Sequence, residues 1–235
     1  MKRILNYFTV FELLLWFFSV IAIVCSSCLF GVVEPFKLIA SLIGATSLIF
    51  NAKGNPIGQI LMIVFGIMYG IISYFVRYYG EMITYVGMTV PMAAVALVSW
   101  LKNPYNGKKS EVKVSNVRIK EWVVMVVLAI IITVGFYFVL DYFNTANMFF
   151  STVSVTTSFV AVYLTFKRSP YYALAYAAND VVLIVLWTLV ALSDPAAISV
   201  LVCFSVFLVN DLYGFWSWRR MRQRQMGEAS AVVCR

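Results

Sequence analysis

The chain has 235 residues, of which 63% are hydrophobic and only 12% are charged, and its formal net charge is +8. A water-soluble domain carries about 25% charged residues, so this composition excludes an ordinary soluble protein and indicates an integral membrane protein. The chain contains no histidine, and it therefore lacks the commonest metal ligand and general base.

Apolar stretches of about 17–25 residues predict membrane-spanning helices, and the chain contains eight segments at or near that length. They are Val10–Phe30, Pro35–Phe50, Pro56–Val76, Glu81–Leu101, Glu121–Leu140, Thr145–Phe166, Tyr171–Ala191 and Pro195–Trp218. Lipid cannot satisfy free backbone polar groups, and the alternating pattern typical of a membrane barrel is missing from the sequence. The predicted fold class is therefore an all-α polytopic membrane protein.

The first span follows Met1-Lys2-Arg3, a beginning that secretory signal peptides share. Its apolar run lacks a small-residue cleavage site and further spans follow it, so we expect it to be retained. The span also contains Cys25 and Cys28, whose spacing is typical of redox sites in soluble oxidoreductases. Inside a membrane span, we interpret these two cysteines as small residues that pack helices together.

Basic residues fall almost entirely on one side of the predicted membrane. When the loops are assigned to alternate sides, all but two of the 18 lysines and arginines, Lys37 and Arg77, share the side of both chain termini. Cytoplasmic loops carry the excess of Lys and Arg, so both termini are predicted to be cytoplasmic. A surface that faces anionic membrane lipids explains the positive charge, and nucleic acid is not a predicted partner.

Two short turns predict an internal repeat. Residues 51–56 (Asn-Ala-Lys-Gly-Asn-Pro) and residues 165–170 (Thr-Phe-Lys-Arg-Ser-Pro) share a Lys-x-x-Pro pattern and open the third and seventh spans. Proline is favoured at the first helical position. Spans two to four and six to eight would then form parallel three-helix units joined by span five, an arrangement found in transporters that bind substrate between repeats. Chance similarity between two loops is the alternative.

This repeat divides the chain into five predicted parts. They are a peripheral helix (1–34), the first unit (35–101), a basic loop with the linker helix (102–144), the second unit (145–218) and a basic tail (219–235).

Two Asn-Asp pairs, Asn179-Asp180 and Asn210-Asp211, interrupt the seventh and eighth spans. A buried aspartate costs about 2.5–3.5 kcal/mol on insertion scales and by default marks a substrate or ion path. At 1.5 Å per residue, both aspartates lie roughly 12–14 Å from the cytoplasmic ends of their spans. We therefore predict that they face one polar cavity. Span six brings Thr157 and neighbouring hydroxyls to the same depth, although hydroxyls also bond between helices.

Aromatic residues complete the candidate site. They are Tyr69 in span three, Tyr176 and Trp187 in span seven, and Tyr213 after the second Asn-Asp pair. Gln59, near the start of span three, adds an amide. Tyr and Trp also gather at bilayer interfaces, which is the ordinary alternative. Because aromatic faces attract a cationic ring and Asn or Asp accepts hydrogen bonds from hydroxyls, the set favours a nucleoside as the ligand.

Two stretches resemble a known family: Tyr176-Ala-Ala-Asn179-Asp180-Val-Val, and Asn210-Asp211-Leu-Tyr213-Gly214-Phe-Trp216-Ser-Trp218. With the repeat layout, they make about residues 36–225 similar to the PnuC-type nicotinamide riboside transporters of bacterial inner membranes. The resemblance implies a homotrimer that moves nicotinamide riboside by facilitated diffusion, with phosphorylation in the cytoplasm trapping this vitamin for NAD salvage. The chain departs from the family before Asn179, where relatives often carry a Trp-x-x-Trp spacing.

The sequence thus predicts a transporter, not an enzyme, that works by alternating access without a cofactor or metal. Both Asn-Asp pairs are expected to hold the ribose or amide, and Trp187 and Tyr176 to stack on the ring. No Gly-x-x-x-x-Gly-Lys-Ser/Thr loop is present, so the chain has no ATPase of its own. The alternatives are a carrier of another solute such as a sugar, a membrane enzyme acting on lipids, and a structural or sensory module.

Overall fold

The computed structural model describes residues 7–30, 34–75, 79–145, 147–193 and 195–233. Its helices are α1 (Val10–Phe30), α2 (Pro35–Ala52), α3 (Ile57–Phe75), α4 (Tyr79–Ile83), α5 (Val90–Lys102), α6 (Ile119–Tyr142), α7 (Met148–Phe166), α8 (Tyr171–Ala191) and α9 (Ile198–Val233). Eight stretches of the described chain are long and apolar enough to cross a membrane. The predicted all-α polytopic fold is confirmed. Lys2, Arg3, Arg77 and Arg235, which the sequence assigned to sides of the membrane, lie outside the residues that the structure describes.

The fourth span differs from a plain α-helix. Its short α4 passes through a π-helical turn, Thr84–Thr89, before α5 begins. The Thr89 hydroxyl donates to the carbonyl of Thr84 over 3.3 Å, which reflects the wider turn. Pro91 lies in the first turn of α5, where its missing N–H is tolerated best. Insertions of this kind inside helices are frequent at functional sites.

Two elements on the predicted cytoplasmic side were not predicted from the sequence. The loop after α5 contains a hairpin of β1 (Pro104–Tyr105) and β2 (Lys108–Val112). Its turn residues Asn106 and Gly107 both have positive φ, which is the conformation that Asn-Gly favours in tight hairpins. In addition, α9 continues from the predicted end of span eight at Trp218 to Val233, so residues 219–233 extend the last helix.

Six helices pack in a closed circle in the order α2, α3, α5, α7, α8 and α9, with α9 returning to α2. The predicted first unit supplies the first three and the predicted second unit the last three. Outside the circle, α1 packs against α2 and α9, and α6 packs against α7. The two contacts α2–α9 and α5–α7 therefore join the predicted units, and the interior of the circle is the place where a path could run.

The turns after α2 and α7 have the same geometry. Gly54 and Arg168 both adopt positive φ, 65° and 55°. The amide of Asn55 bonds the carbonyl of Phe50, and the amide of Ser169 bonds the carbonyl of Leu164 in the same way. For Arg168 a left-handed conformation is uncommon, so the surrounding turn imposes it. The repeat itself stays a prediction, which this correspondence supports.

An ion pair fixes each of these turns to a neighbouring helix. Lys53 contacts Glu12 at the start of α1 (3.2 Å), and Lys167 contacts Glu121 at the start of α6 (2.8 Å). Glu12 and Glu121 also accept a hydrogen bond from the backbone amide three residues earlier, which caps their helices. The helices α1 and α6 thus dock on the two turns in the same manner.

The prediction that Cys25 and Cys28 pack between helices is wrong. Both side chains are exposed free thiols on the outer face of α1. The face of α1 that contacts the bundle carries Ile23 and Ser26 instead. A helix that packs against the bundle on one side has an opposite face that is exposed to lipid. The two cysteines lie on that exposed face of α1.

Candidate functional site

The carboxyl groups of Asp180 on α8 and Asp211 on α9 meet inside the helix circle and share a hydrogen bond. Each residue is only 4% exposed. Two carboxyl groups that share a hydrogen bond hold at least one proton between them, so this arrangement carries at most one negative charge. Oδ2 of Asp180 is buried and accepts no hydrogen bond from an amide or hydroxyl of the described residues. An acceptor is therefore available to a ligand.

Asn179 points to a different neighbour. Its amide oxygen accepts hydrogen bonds from Ser154 (3.2 Å), Thr157 (2.8 Å) and Ser158 (3.1 Å), all on α7. Consecutive residues on an α-helix are turned by about 100° because one turn takes 3.6 residues. Asn179 therefore connects α8 to α7, while Asp180 connects α8 to α9. If Thr157 takes part in the site as predicted, it does so through its hydrogen bond to Asn179.

Replacing Asn179 with leucine should lower the free energy of unfolding by about 1 kcal/mol, because three hydroxyls lose a buried acceptor. The loss stays small because Thr157 already also bonds carbonyls of its own helix and hydrogen bonds between membrane helices are individually modest. Thermal unfolding of the purified protein measures the change. Thr188→Ala is the matched control on α8, since that exposed hydroxyl bonds only its own helix. Equal midpoints for the two variants would contradict this role.

Glu81, in α4, is a second acidic group. It lies toward the opposite end of the helices from the turns after α2 and α7, and it was not predicted as a site residue. Its carboxylate accepts a hydrogen bond of 3.0 Å from the Tyr69 hydroxyl. Tyr85, in the π-helical turn, packs on Tyr69 with 4.5 Å between ring centroids and the rings tilted by 46°, and it lies near both Glu81 and Asp180. The predicted residue Tyr69 therefore belongs to a polar layer that connects the two acidic centres.

Aromatic rings fill the circle beside this layer. Phe65 contacts Tyr69 (5.7 Å), Tyr85 (6.0 Å) and Phe207 (5.9 Å between centroids). A Cβ on Gly44 would lie 2.7 Å from the Phe207 ring, so glycine is required for this close approach of α2 to α9. Trp187 is buried in the same apolar cluster. The cluster provides ring faces from both predicted units.

One cavity among the described residues lies beside Glu81 and Tyr85. It has a volume of about 30 Å³ and is lined by Glu81, Tyr85, Ser154, Ser158 and Leu140 among others. Such a volume holds one or two water molecules, whereas ligand pockets usually measure about 300–1,000 Å³. A nucleoside would fit in this cavity only if the helices around it separated.

Three predicted site residues form hydrogen bonds with other parts of the described chain, and their role in the site stays a prediction. The amide of Asn210 donates to Ser19 on α1 over 2.9 Å. Gln59 donates to Asn51 over 2.8 Å at the end of α2, and Tyr213 donates to Glu12 over 2.9 Å. Asn210, like Asn179, faces a different direction from the aspartate that follows it, because adjacent helical positions diverge, although its Oδ1 is buried without a hydrogen-bond partner among the described residues. Gln59 bonds the turn after α2, and Tyr213 bonds α1.

Tyr176 and Trp187 lie on the face of α8 that carries Asp180, four residues before it and seven after it. Tyr176 packs on Tyr172 with 6.2 Å between centroids and is in hydrogen-bond contact with Thr165. Trp187 lies among the apolar rings on the other side of Asp180. The two predicted stacking residues thus flank the aspartate pair at different depths.

Comparison with known proteins gives the family. A model described as nicotinamide mononucleotide transporter matches residues 34–220. The nicotinamide riboside transporter PnuC of Neisseria mucosa is 23% identical over 194 residues, which cover 81% of this chain and 74% of that protein. The protein of the same name from Haemophilus influenzae is 20% identical over 188 residues, with 80% of each chain covered.

The fold is also found in a solved structure, described as the crystal structure of the vitamin B3 transporter PnuC. It superposes with a TM-score of 0.76 and 22% identity, over 93% of this chain and 94% of the other. The matched region includes every helix of the six-membered circle. The family model matches most of the length of this chain. The chain therefore belongs to the nicotinamide mononucleotide transporter family.

Proposed function

We propose that the chain is a bacterial inner-membrane transporter that carries nicotinamide riboside by facilitated diffusion. The buried pair of Asp180 and Asp211 supports this most strongly, because a pair that keeps one shared proton would place one negative charge in an aromatic-lined interior. The pyridinium ring of nicotinamide riboside is a planar cation, which suits both an anionic partner and aromatic faces. Two relatives named for this substrate support the same assignment.

The charge of the interior favours the riboside over the mononucleotide. Residues 79–101, 145–166 and 171–218 contain no lysine or arginine, while they contribute Glu81, Asp180 and Asp211. A phosphate monoester carries about −1.5 to −2 charges at neutral pH. In a medium of low polarity, it would be repelled by the acidic pair and find no cation to bind. The phosphate-free nucleoside avoids this cost.

The helix circle suggests how the substrate passes. We propose that the two three-helix units, α2 to α5 and α7 to α9, rock against each other around the aspartate pair. Glu81 then lies on the side from which the substrate enters, and the basic turns lie in the cytoplasm. In this scheme Asp180 and Asp211 hold the cation, and Tyr85, Tyr176 and Trp187 provide ring faces. A homotrimer remains part of the proposal through the family resemblance.

Ligand-dependent thermal stability separates the two substrates. We expect nicotinamide riboside at saturating concentration to raise the unfolding midpoint of the purified protein by several degrees, since binding to the folded state alone stabilises it. Nicotinamide mononucleotide at the same concentration should give no shift, and uridine serves as the nucleoside without a cationic ring. A larger shift with the mononucleotide than with the riboside would contradict the charge argument.

A further inference from the structure

A short segment between β2 and α6 lies across both cytoplasmic turns. The amide of Val112 donates to the carbonyl of Gly54 over 3.0 Å, and the amide of Ser115 donates to the carbonyl of Arg168 over 3.0 Å. Gly54 and Arg168 occupy the same position in the two turns and share positive φ. Residues 112–115, called the strap below, therefore join the two predicted units from outside.

Two tryptophans close the space beneath the strap. Trp100 and Trp218 are 1% and 0% exposed, and their ring centroids are 5.3 Å apart. The indole N–H of Trp100 donates to the carbonyl of Thr165 over 2.9 Å, and that of Trp218 donates to the carbonyl of Asn51 over 2.7 Å. Each bond runs from the last helix of one unit to the first helix of the other.

The residue before each tryptophan repeats this connection. Ser99 donates to the carbonyl of Phe166 over 3.0 Å, and Ser217 donates to the carbonyl of Ala52 over 2.8 Å. Two Ser-Trp pairs thus satisfy the carbonyls at the ends of two helices. If the units rock apart at this end, all four hydrogen bonds must break together with the strap.

One side chain of the extended α9 holds the strap in place. The amide oxygen of Gln225 accepts from the backbone amide of Val114 over 2.9 Å, and its amide nitrogen donates to the carbonyl of Val112 over 3.1 Å. Gln225 also donates to Glu111 over 2.8 Å, and Arg224 forms an ion pair with the same carboxylate. Val112 is fully buried and lies with Met221 against Gly54.

We propose that the strap is a cytoplasmic gate and that Gln225 on the extension of α9 is its latch. Release of Gln225 lets residues 112–115 leave the two turns, and only then can the Ser-Trp pairs separate. Among the described residues, a small cavity lies beside Glu81 and Leu140 at the opposite end, which agrees with a chain closed on the cytoplasmic side. The gate's role in substrate exit rests on the proposed transport function, whereas the closure itself does not.

Cross-linking the strap to a turn tests the gate directly. Ser115→Cys and Arg168→Cys, in a chain whose native cysteines are replaced by alanine, place two thiols across a backbone hydrogen bond, close enough for a disulfide. A third substitution, Ala173→Cys, reports access from the cytoplasm because Ala173 is fully buried beside Gly214. In inside-out vesicles without any substrate, oxidation should reduce labelling of that cysteine by an impermeant maleimide at least about tenfold, and reduction should restore it.

A cross-link within the hairpin is the matched control. Tyr105→Cys and Lys108→Cys occupy partner positions of the β1–β2 ladder, so their disulfide leaves the strap free to move. Labelling of Ala173→Cys should then be the same before and after oxidation. Equal labelling of the oxidised and reduced strap cross-link would overturn the gate. Failure of the protein to bind nicotinamide riboside would overturn the proposed function, but would leave this labelling result intact.

The latch is tested by comparing two glutamines on one helix. Gln225→Leu removes three hydrogen bonds and should raise labelling of Ala173→Cys about tenfold, because net hydrogen bonds contribute about 0.5–1.5 kcal/mol each. Gln223→Leu makes the same substitution at an exposed position and should change nothing. If Gln225→Leu folds with the wild-type unfolding midpoint and labels at the wild-type rate, Gln225 is not the latch.

Discussion

Replacing both Asp180 and Asp211 with asparagine is expected to weaken binding of nicotinamide riboside by roughly 10- to 100-fold, which corresponds to the contribution of about 1.5–3 kcal/mol that a hydrogen bond to a charged group makes. The double variant keeps the shape of the pair and one hydrogen bond, but it removes the negative charge. Isothermal titration calorimetry on the purified protein measures the affinity.

The single variants sharpen this prediction. Because the proposed site needs only one charge on the pair, Asp180→Asn or Asp211→Asn alone should retain affinity within a few-fold. Asp141→Asn is the control for a carboxylate at the exposed end of α6. Full affinity in the double variant, or complete loss in either single variant with intact folding, would contradict a site that requires one charge.

Trp218→Ala is expected to lower the free energy of unfolding by about 3–5 kcal/mol, the range for removing a buried aromatic side chain. Trp218 has no exposed surface, packs on Trp100 and Tyr172, and donates to the carbonyl of Asn51. For a protein of this size, the unfolding midpoint should fall by at least about 6 °C. Thermal unfolding in detergent measures the loss.

Trp216→Ala is the matched control. Trp216 lies two residues away on the same helix, is 52% exposed and stacks with Arg220 at 4.6 Å. Its removal should shift the midpoint by no more than about 4 °C, because an exposed cation–π contact contributes only about 0.5–1 kcal/mol. Trp218→Phe separates the indole hydrogen bond from packing and should give an intermediate value. Equal losses at 216 and 218 would contradict a closed cytoplasmic layer.

The depth of the site could be predicted from sequence, but the direction of its side chains could not. Counting 1.5 Å per residue placed Asp180 and Asp211 at one level, and the structure brings their carboxyl groups together. Asn179 and Asn210 were assigned to the same site because each directly precedes one of the aspartates. An α-helix, however, turns by about 100° per residue. Which face of a span points inward depends on packing with neighbours that hydropathy does not identify.

Contacts between distant segments explain the remaining omissions. Glu81 was placed at the beginning of a span, and only its hydrogen bond to Tyr69 reveals it as part of the interior layer. The hairpin carried a signal in Asn106-Gly107, the dipeptide most typical of tight turns. Ser99-Trp100 and Ser217-Trp218 also stand near the ends of the last spans of the two predicted units. That recurrence was available in the sequence and would have supported the predicted repeat.

The most direct test of the central claim compares a cationic and an uncharged ring in the same site. Nicotinamide riboside and its reduced dihydro form differ mainly in the charge of the ring, so calorimetric titration of both isolates the electrostatic contribution. The wild-type chain should bind the cation at least about tenfold more tightly, and the Asp180→Asn/Asp211→Asn double variant should lose this preference. Equal affinities in the wild type, or a preference that survives in the double variant, would contradict the assignment of the aspartate pair as the cation site.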